Sequence, residues 1–334
     1  MSGTDKRISQ FSYIKVTACF AIVLLHCFNN ARIYHADVIS AGQTTAAYAA
    51  CSALMWAVPS FLMVTGAILL DRDRVIPLSK LFGKYFMRML TALVVFTAIF
   101  TLIKHDPESE TGIGQEFIEG IFHNHCMAYL WYLYLMLALY LLMPVFKMMV
   151  NRLTYRQLWI AAGLVLVICS VLPLAGYFGI DAAQYIPTWI VYGVYLFLGF
   201  LLYRQRIDWH ISAILFVLCT AALPFITVML APTDIDPLGL TAYNSPLVVL
   251  QSACFFSFML AIKREAGAII SNIDRCTFGI YLIHMIFVRL TMKELGFNPF
   301  EYGAAGFIAA AVVFFAASYA VTYVLKKSRL FSFL

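Results

Sequence analysis

Charge is what this chain has least of. Asp, Glu, Lys and Arg together make up 12% of its 334 residues, about half the share of an ordinary soluble domain. With 63% hydrophobic residues and a mean hydropathy of +0.85, that scarcity excludes a water-facing enzyme, a nucleic-acid binder and a disordered scaffold. Paired cysteines are missing as well. Cys19, Cys27, Cys51, Cys126, Cys169, Cys219, Cys254 and Cys276 form no C-x-x-C motif. Nearly all lie in apolar runs, as small hydrophobes in helix interfaces do, so neither a disulfide framework nor a zinc site is supported. There is no Gly-x-Ser-x-Gly elbow, no phosphate-binding loop and no dinucleotide fingerprint. Nor is there an internal repeat or a low-complexity tract. The short alternating segments of a membrane β-barrel are absent too.

Long apolar runs are what remains. Ten stretches stand out, at about 11–31, 47–70, 86–104, 126–147, 157–178, 187–203, 210–231, 246–262, 276–292 and 303–325, each close to the roughly 20 residues that a helix needs to cross a bilayer. The first carries Lys15 and His26 and leads straight into further spans, unlike a cleavable leader. The second is punctuated by Pro59, where a kink is expected whose freed backbone groups neighbouring helices satisfy. The expected fold is an all-α polytopic membrane protein of about ten transmembrane helices. It forms one domain over 1–334, with no appended soluble domain.

The placement of charge orients the chain. If the N-terminus is cytoplasmic, 19 of the 23 basic residues fall inside, with only Arg32, Lys104, Arg289 and Lys293 outside. Of the 17 acids, six fall inside and 11 outside. The net charge of +6 thus resolves into an inner face of +13 and an outer one of −7. The positive-inside rule, which counts Lys and Arg, predicts both termini in the cytoplasm.

Polar groups inside apolar spans are costly, so each is a candidate for function. Lys15 and His26 are eleven residues apart, three turns plus about 20° and a rise of roughly 16 Å. Both therefore project from one face into one groove. Lys15 can alternatively snorkel to the headgroups, and His26 can be held by a neighbouring helix. His284 falls near mid-membrane in the ninth span, with Tyr281 three residues before it, a pair suited to chemistry or to helix-helix bonding. Along straight helices His26 and His284 are offset by about 8 Å. Lys84 and Arg88, at the inner end of the third span, read either as lipid anchors or as donors to the phosphates of a cytoplasmic ligand. Trp131 and Tyr132 have the placement of interfacial belt residues. His123 and His125 form a His-x-His pair without an evident third ligand, and no metal is expected.

At these residues the chain resembles the bacterial membrane acyltransferase-3 family, the group containing envelope-polysaccharide O-acetyltransferases. Ser12 through His26 is similar to the family's first helix, in which an arginine precedes an essential histidine by eleven residues. Pro59 through Gly66 resembles its P-x-F-F-x-x-S-G segment, and Tyr85 to Arg88 falls where the family has R-x-x-R. Leu130 to Leu133, running on to Pro144, resembles its L-W-F-L…P helix. Phe278 to His284 resembles its S-x-G-I-Y-L-x-H helix. Five such motifs in order cover almost the whole chain. The departures are local: Ser12 and Lys15 stand in place of the family's D-x-x-R, and Tyr85 replaces the first arginine of its pair, with Lys84 beside it.

The resemblance implies transfer of an acyl group, acetyl first among them, from cytoplasmic acyl-CoA to a hydroxyl of an envelope polysaccharide or its lipid-linked precursor. The setting it implies is a bacterial inner membrane. His26 is then the expected base, with His284 and Tyr281 orienting the acceptor or donating to the developing oxyanion. A covalent acyl-histidine is the alternative route. Lys15, Lys84 and Arg88 would hold the donor's phosphates. The rival classes are an exporter of a polysaccharide intermediate, which would share the helices but consume no acyl-CoA, and a scaffolding subunit.

Overall fold

The computed structural model describes residues 8–105, 111–123, 127–178, 180, 185–231, 240–328, 331 and 333–334. Among them there is no strand, and every predicted apolar run is helical. The helices are α1 (Ser9–Tyr34), α2 (Ala41–Leu69), α3 (Leu78–Lys104), α4 (Ile113–His123), α5 (Ala128–Arg152), α6 (Tyr155–Gly176), α7 (Thr188–Arg204), α8 (Trp209–Leu230), α9 (Pro246–Met259), α10 (Ala268–Glu294) and α11 (Pro299–Leu325). Eight of these are long and apolar enough to cross a membrane. The exceptions are the amphipathic α4 and the apolar α7 and α9. The expected ten spans therefore become eight long ones and two short apolar helices, because α9 has 14 residues, about 21 Å of rise against a hydrocarbon core of roughly 30 Å.

Helix starts are written locally. Ser40 opens α2 and Thr154 opens α6, each with a capping box closed by a glutamine three residues on, Gln43 and Gln157. Asp208 caps α8 by accepting from the backbone N–H groups of His210 and Ile211. Those two bonds, with the neighbouring His210, hold its carboxyl below the usual carboxylate range.

The residues group into two compact units, one of Met1–Asp71 with Leu153–Val324, the other of Arg72–Arg152 with Leu325–Leu334. In the first unit α2 is interrupted at Leu54–Trp56, and Pro59 lies in the first turn after the interruption, where a missing N–H costs nothing. The side-chain amide of Gln251, fully buried on α9, donates to the Ala53 carbonyl at 3.1 Å and to Thr220 of α8 at 3.0 Å. That is the neighbouring-helix satisfaction expected of the kink. Trp56 packs on Phe255 of α9, with ring centroids 3.9 Å apart.

Just beyond, α2 and α7 meet backbone to backbone. A Cβ on Gly66 would run into the Leu196 carbonyl, and one on Gly199 into that of Met63. Two facing glycines are how membrane helices achieve such approach. The turn from α10 to α11 uses Gly296 at φ 70. His35, past the end of α1, donates from Nε2 to the Phe297 carbonyl in that turn at 3.0 Å.

In the second unit α4 lies against α3. His105 and Glu116 meet at 3.0 Å, and the Tyr134 hydroxyl of α5 donates to the Ile121 carbonyl at 2.5 Å. The seven described cysteines are free thiols, and Cys126 lies outside the described residues.

Candidate active site on paired helices

Two of the predicted polar groups lie on α1 and two on α10, and these helices are packed together in the first unit. They run parallel, since contacts climb both helices in the same order. Ser12 and Lys15 meet Asp274, Cys19 meets Thr277, and His26 meets His284. Polar contacts therefore follow the seam along its length, as expected where water is absent and each polar group must find a partner.

At one level of the seam sit the histidines. The His26 and His284 ring centroids are 5.1 Å apart, and Tyr281 lies 6.1 Å from His284. The offset of about 8 Å expected of straight helices is thus absorbed, and the three groups form one cluster. His284 is fully buried and Tyr281 is 7% exposed, whereas His26 is only partly buried. His284 Nδ1 lies 3.1 Å from the Ile280 carbonyl of its own helix. A carbonyl oxygen only accepts, so Nδ1 carries the proton and the Nε2 lone pair of a neutral ring is the basic one. Beyond the cluster, Asn30 donates to the His26 carbonyl at 2.8 Å and contacts the Met285 sulfur at 3.9 Å.

Three turns below, Lys15 is bridged to Asp274 at 2.5 Å. The Ser12 hydroxyl donates to the same carboxylate at 2.8 Å. Asp274, in the sequence one of the inner-face acids, thus joins the two α1 residues across the seam. Nothing in the sequence pairs it with Lys15; the first-helix motif only leaves Lys15 without the acidic neighbour that its counterpart has. Asp274 also precedes His284 by ten residues, nearly the eleven that separate Lys15 from His26.

Lys84 and Arg88 belong to the second unit, on α3. Lys84 is exposed. Arg88 donates through its guanidinium to the Phe333 carbonyl at 2.5 Å and the Leu334 carbonyl at 2.9 Å. Tyr85, in place of the first arginine, stacks on Tyr140 of α5 at 6.2 Å between centroids.

Of the His-x-His pair, His125 lies outside the described residues. Among those described, no group of three or more His, Cys, Asp or Glu could hold a metal ion. The residues of the α1–α10 cluster can instead take and give protons, and a hydroxyl can be deprotonated there by a neutral imidazole.

A family model for acyltransferase-3, described as an acyltransferase domain, matches residues 8–327. No curated protein and no solved structure matches the chain.

Proposed function

From the premise that this chain belongs to the acyltransferase-3 family and is a multi-pass membrane acyltransferase, we propose that it is an O-acyltransferase of a bacterial inner membrane. It carries an acyl group, acetyl in the first instance, from cytoplasmic acyl-CoA to a hydroxyl of an envelope polysaccharide or its lipid-linked precursor. The observation that supports this most is the juxtaposition of His26 and His284, with Tyr281 alongside.

A thioester is already activated, so transfer needs a positioned donor, a base for the acceptor and exclusion of water. His26, the less buried histidine, takes the proton of the acceptor hydroxyl as its oxygen attacks the thioester carbonyl. The new C–O bond forms, the C–S bond breaks, and the departing CoA thiolate takes up a proton, leaving His26 neutral. His284 is held by the Ile280 carbonyl in the tautomer whose Nε2 is basic, so it supports a protonated His26 by accepting, while the Tyr281 hydroxyl donates to the developing oxyanion. In the second unit, Lys84 and Arg88 supply cations suited to the donor's phosphates, Arg88 exchanging its present carbonyl acceptors for them.

The deciding experiment is mass spectrometry of envelope glycans from cells with and without the gene, searching for a lost acyl mass. Reappearance of that mass with the wild-type gene but not with His26→Ala establishes the activity. Identical glycans in every strain refute the glycan acceptor. Unchanged glycan acylation with His26→Ala, at normal abundance in the membrane, refutes the catalytic assignment.

A further inference from the structure

The contact between Lys15 and Asp274 changes what Lys15 is for. Asp274 has a side chain 1% exposed, in a part of the molecule where a lone carboxylate would be strongly destabilising. Two groups on α1 satisfy it: Ser12 through Oδ2 at 2.8 Å and Lys15 through Oδ1 at 2.5 Å. They are three residues apart and so lie on one face of their helix. Within α10, the Thr277 hydroxyl donates to the Asp274 carbonyl at 3.0 Å.

Such a clamp senses both rotation and height. A slip of α1 by one residue moves it about 1.5 Å and turns it about 100°, which takes Ser12 and Lys15 off the carboxylate together. It would also turn His26 away from His284, because His26 lies within about 20° of Lys15 around the helix. The lysine amine, meanwhile, is already matched by a buried carboxylate, the arrangement least suited to lending its charge to a ligand's phosphate.

We infer that Asp274 is a positioning residue for acyl transfer, acting through Lys15 and Ser12 to hold His26 against His284, and that Lys15 belongs to this clamp and not to the donor-phosphate site. The mechanistic part rests on the function proposed above; the positional part does not.

The test separates the two. In the chain with all eight native cysteines replaced by alanine, Cys51 included because its thiol lies 3.6 Å from the Leu25 carbonyl, His26→Cys and His284→Cys are cross-linked in membranes with the shortest bifunctional thiosulfonate reagent. Cross-linking is compared among wild type at 15 and 274, Lys15→Met, Asp274→Asn and the exchange Lys15→Asp with Asp274→Lys. In parallel, detergent-solubilised chains with His26 and His284 intact are titrated with acetyl-CoA.

Each single change is expected to slow cross-linking about tenfold, and the exchange to recover most of the loss. Acetyl-CoA should bind Lys15→Met within about twofold of wild type, because the clamp and the donor site are distinct. Cross-linking at the wild-type rate in Asp274→Asn overturns the inference. So does a tenfold loss of acetyl-CoA affinity in Lys15→Met with cross-linking intact. If the single variants fail to accumulate, the exchange decides: recovered abundance and cross-linking uphold the clamp, and failure of both overturns it. A wild-type chain that binds no acetyl-CoA would count against the donor proposed above while leaving the cross-linking result to judge the clamp.

Discussion

His26 is only partly buried, whereas His284 is fully buried and tied to its own helix. Their substitutions should therefore differ. If His26 is the base proposed above, His26→Ala should lower acyl transfer by about 10²–10⁴-fold or more with little change in abundance, general-base catalysis being of that size. His284→Ala should lower activity and also reduce thermal stability, since it leaves a void in a closed interface. Rates and melting temperatures of the two purified variants check this, and a stability loss confined to His26→Ala would reverse the roles. Arg88→Ala should raise the CoA concentration giving half-maximal thermal stabilisation, as loss of a phosphate contact requires; an unchanged titration would leave Arg88 with its carbonyl partners alone.

The individual histidines were legible because ionisable groups in apolar helices stand out. Asp274 was not. At the end of a span, beside Arg275, it resembles any inner-face acid, and only the fold reveals that Lys15 reaches it. Nor does a sequence carry the distance between two helices, so the His26–His284 separation had to come from the packing of α1 on α10.

Between elements, α2 and α7 meet backbone to backbone at Gly66 and Gly199. Gly66→Ala or Gly199→Ala should force the two backbones apart, and overpacking of this kind costs about 1–3 kcal/mol or more. Either change should lower the melting temperature in detergent, and a melting temperature equal to wild type would show that the helices can separate freely. At the α2 interruption, Gln251→Leu removes the donor to Ala53. A loss of about 1 kcal/mol is expected, the usual size of a hydrogen bond between membrane helices, read again as a melting shift. The kink near Pro59 could be anticipated from the residue itself. Its chemistry could not, because the donor that heals it lies on α9, nearly two hundred residues later. Helix ends were less legible than helix existence for a related reason. Charged residues such as Lys80, Lys84 and Arg275 close the apolar runs while the backbone continues helical through them.

For the whole molecule, hydropathy located every apolar helix, and length then divided eight long ones from α7 and α9. The asymmetry of Lys and Arg predicts that the ends of the chain face the cytoplasm. A cysteine placed in the segment after α7, beside Arg204 and Arg206, should resist membrane-impermeant thiol reagents in intact cells, and one placed in α4 should react. The opposite pattern would invert the molecule and, with it, the side from which Lys84 and Arg88 could meet a donor.

The brevity of α9 has a consequence for the lipid around it. A helix of 14 residues among long spans of 22 to 29 leaves part of the bilayer thickness unmatched on one side. Lipid must thin there, or α9 must be shielded by α8 and the ends of longer helices, each at a cost of a fraction of a kcal/mol per ångström. Because α9 carries Gln251, which bonds to α2 beside the helix that bears His26, bilayer thickness is expected to act as a mechanical input to the enzyme. Reconstituted into phosphatidylcholines of increasing chain length, the protein should pass through an activity optimum, displaced toward thicker bilayers by lengthening α9 with leucines.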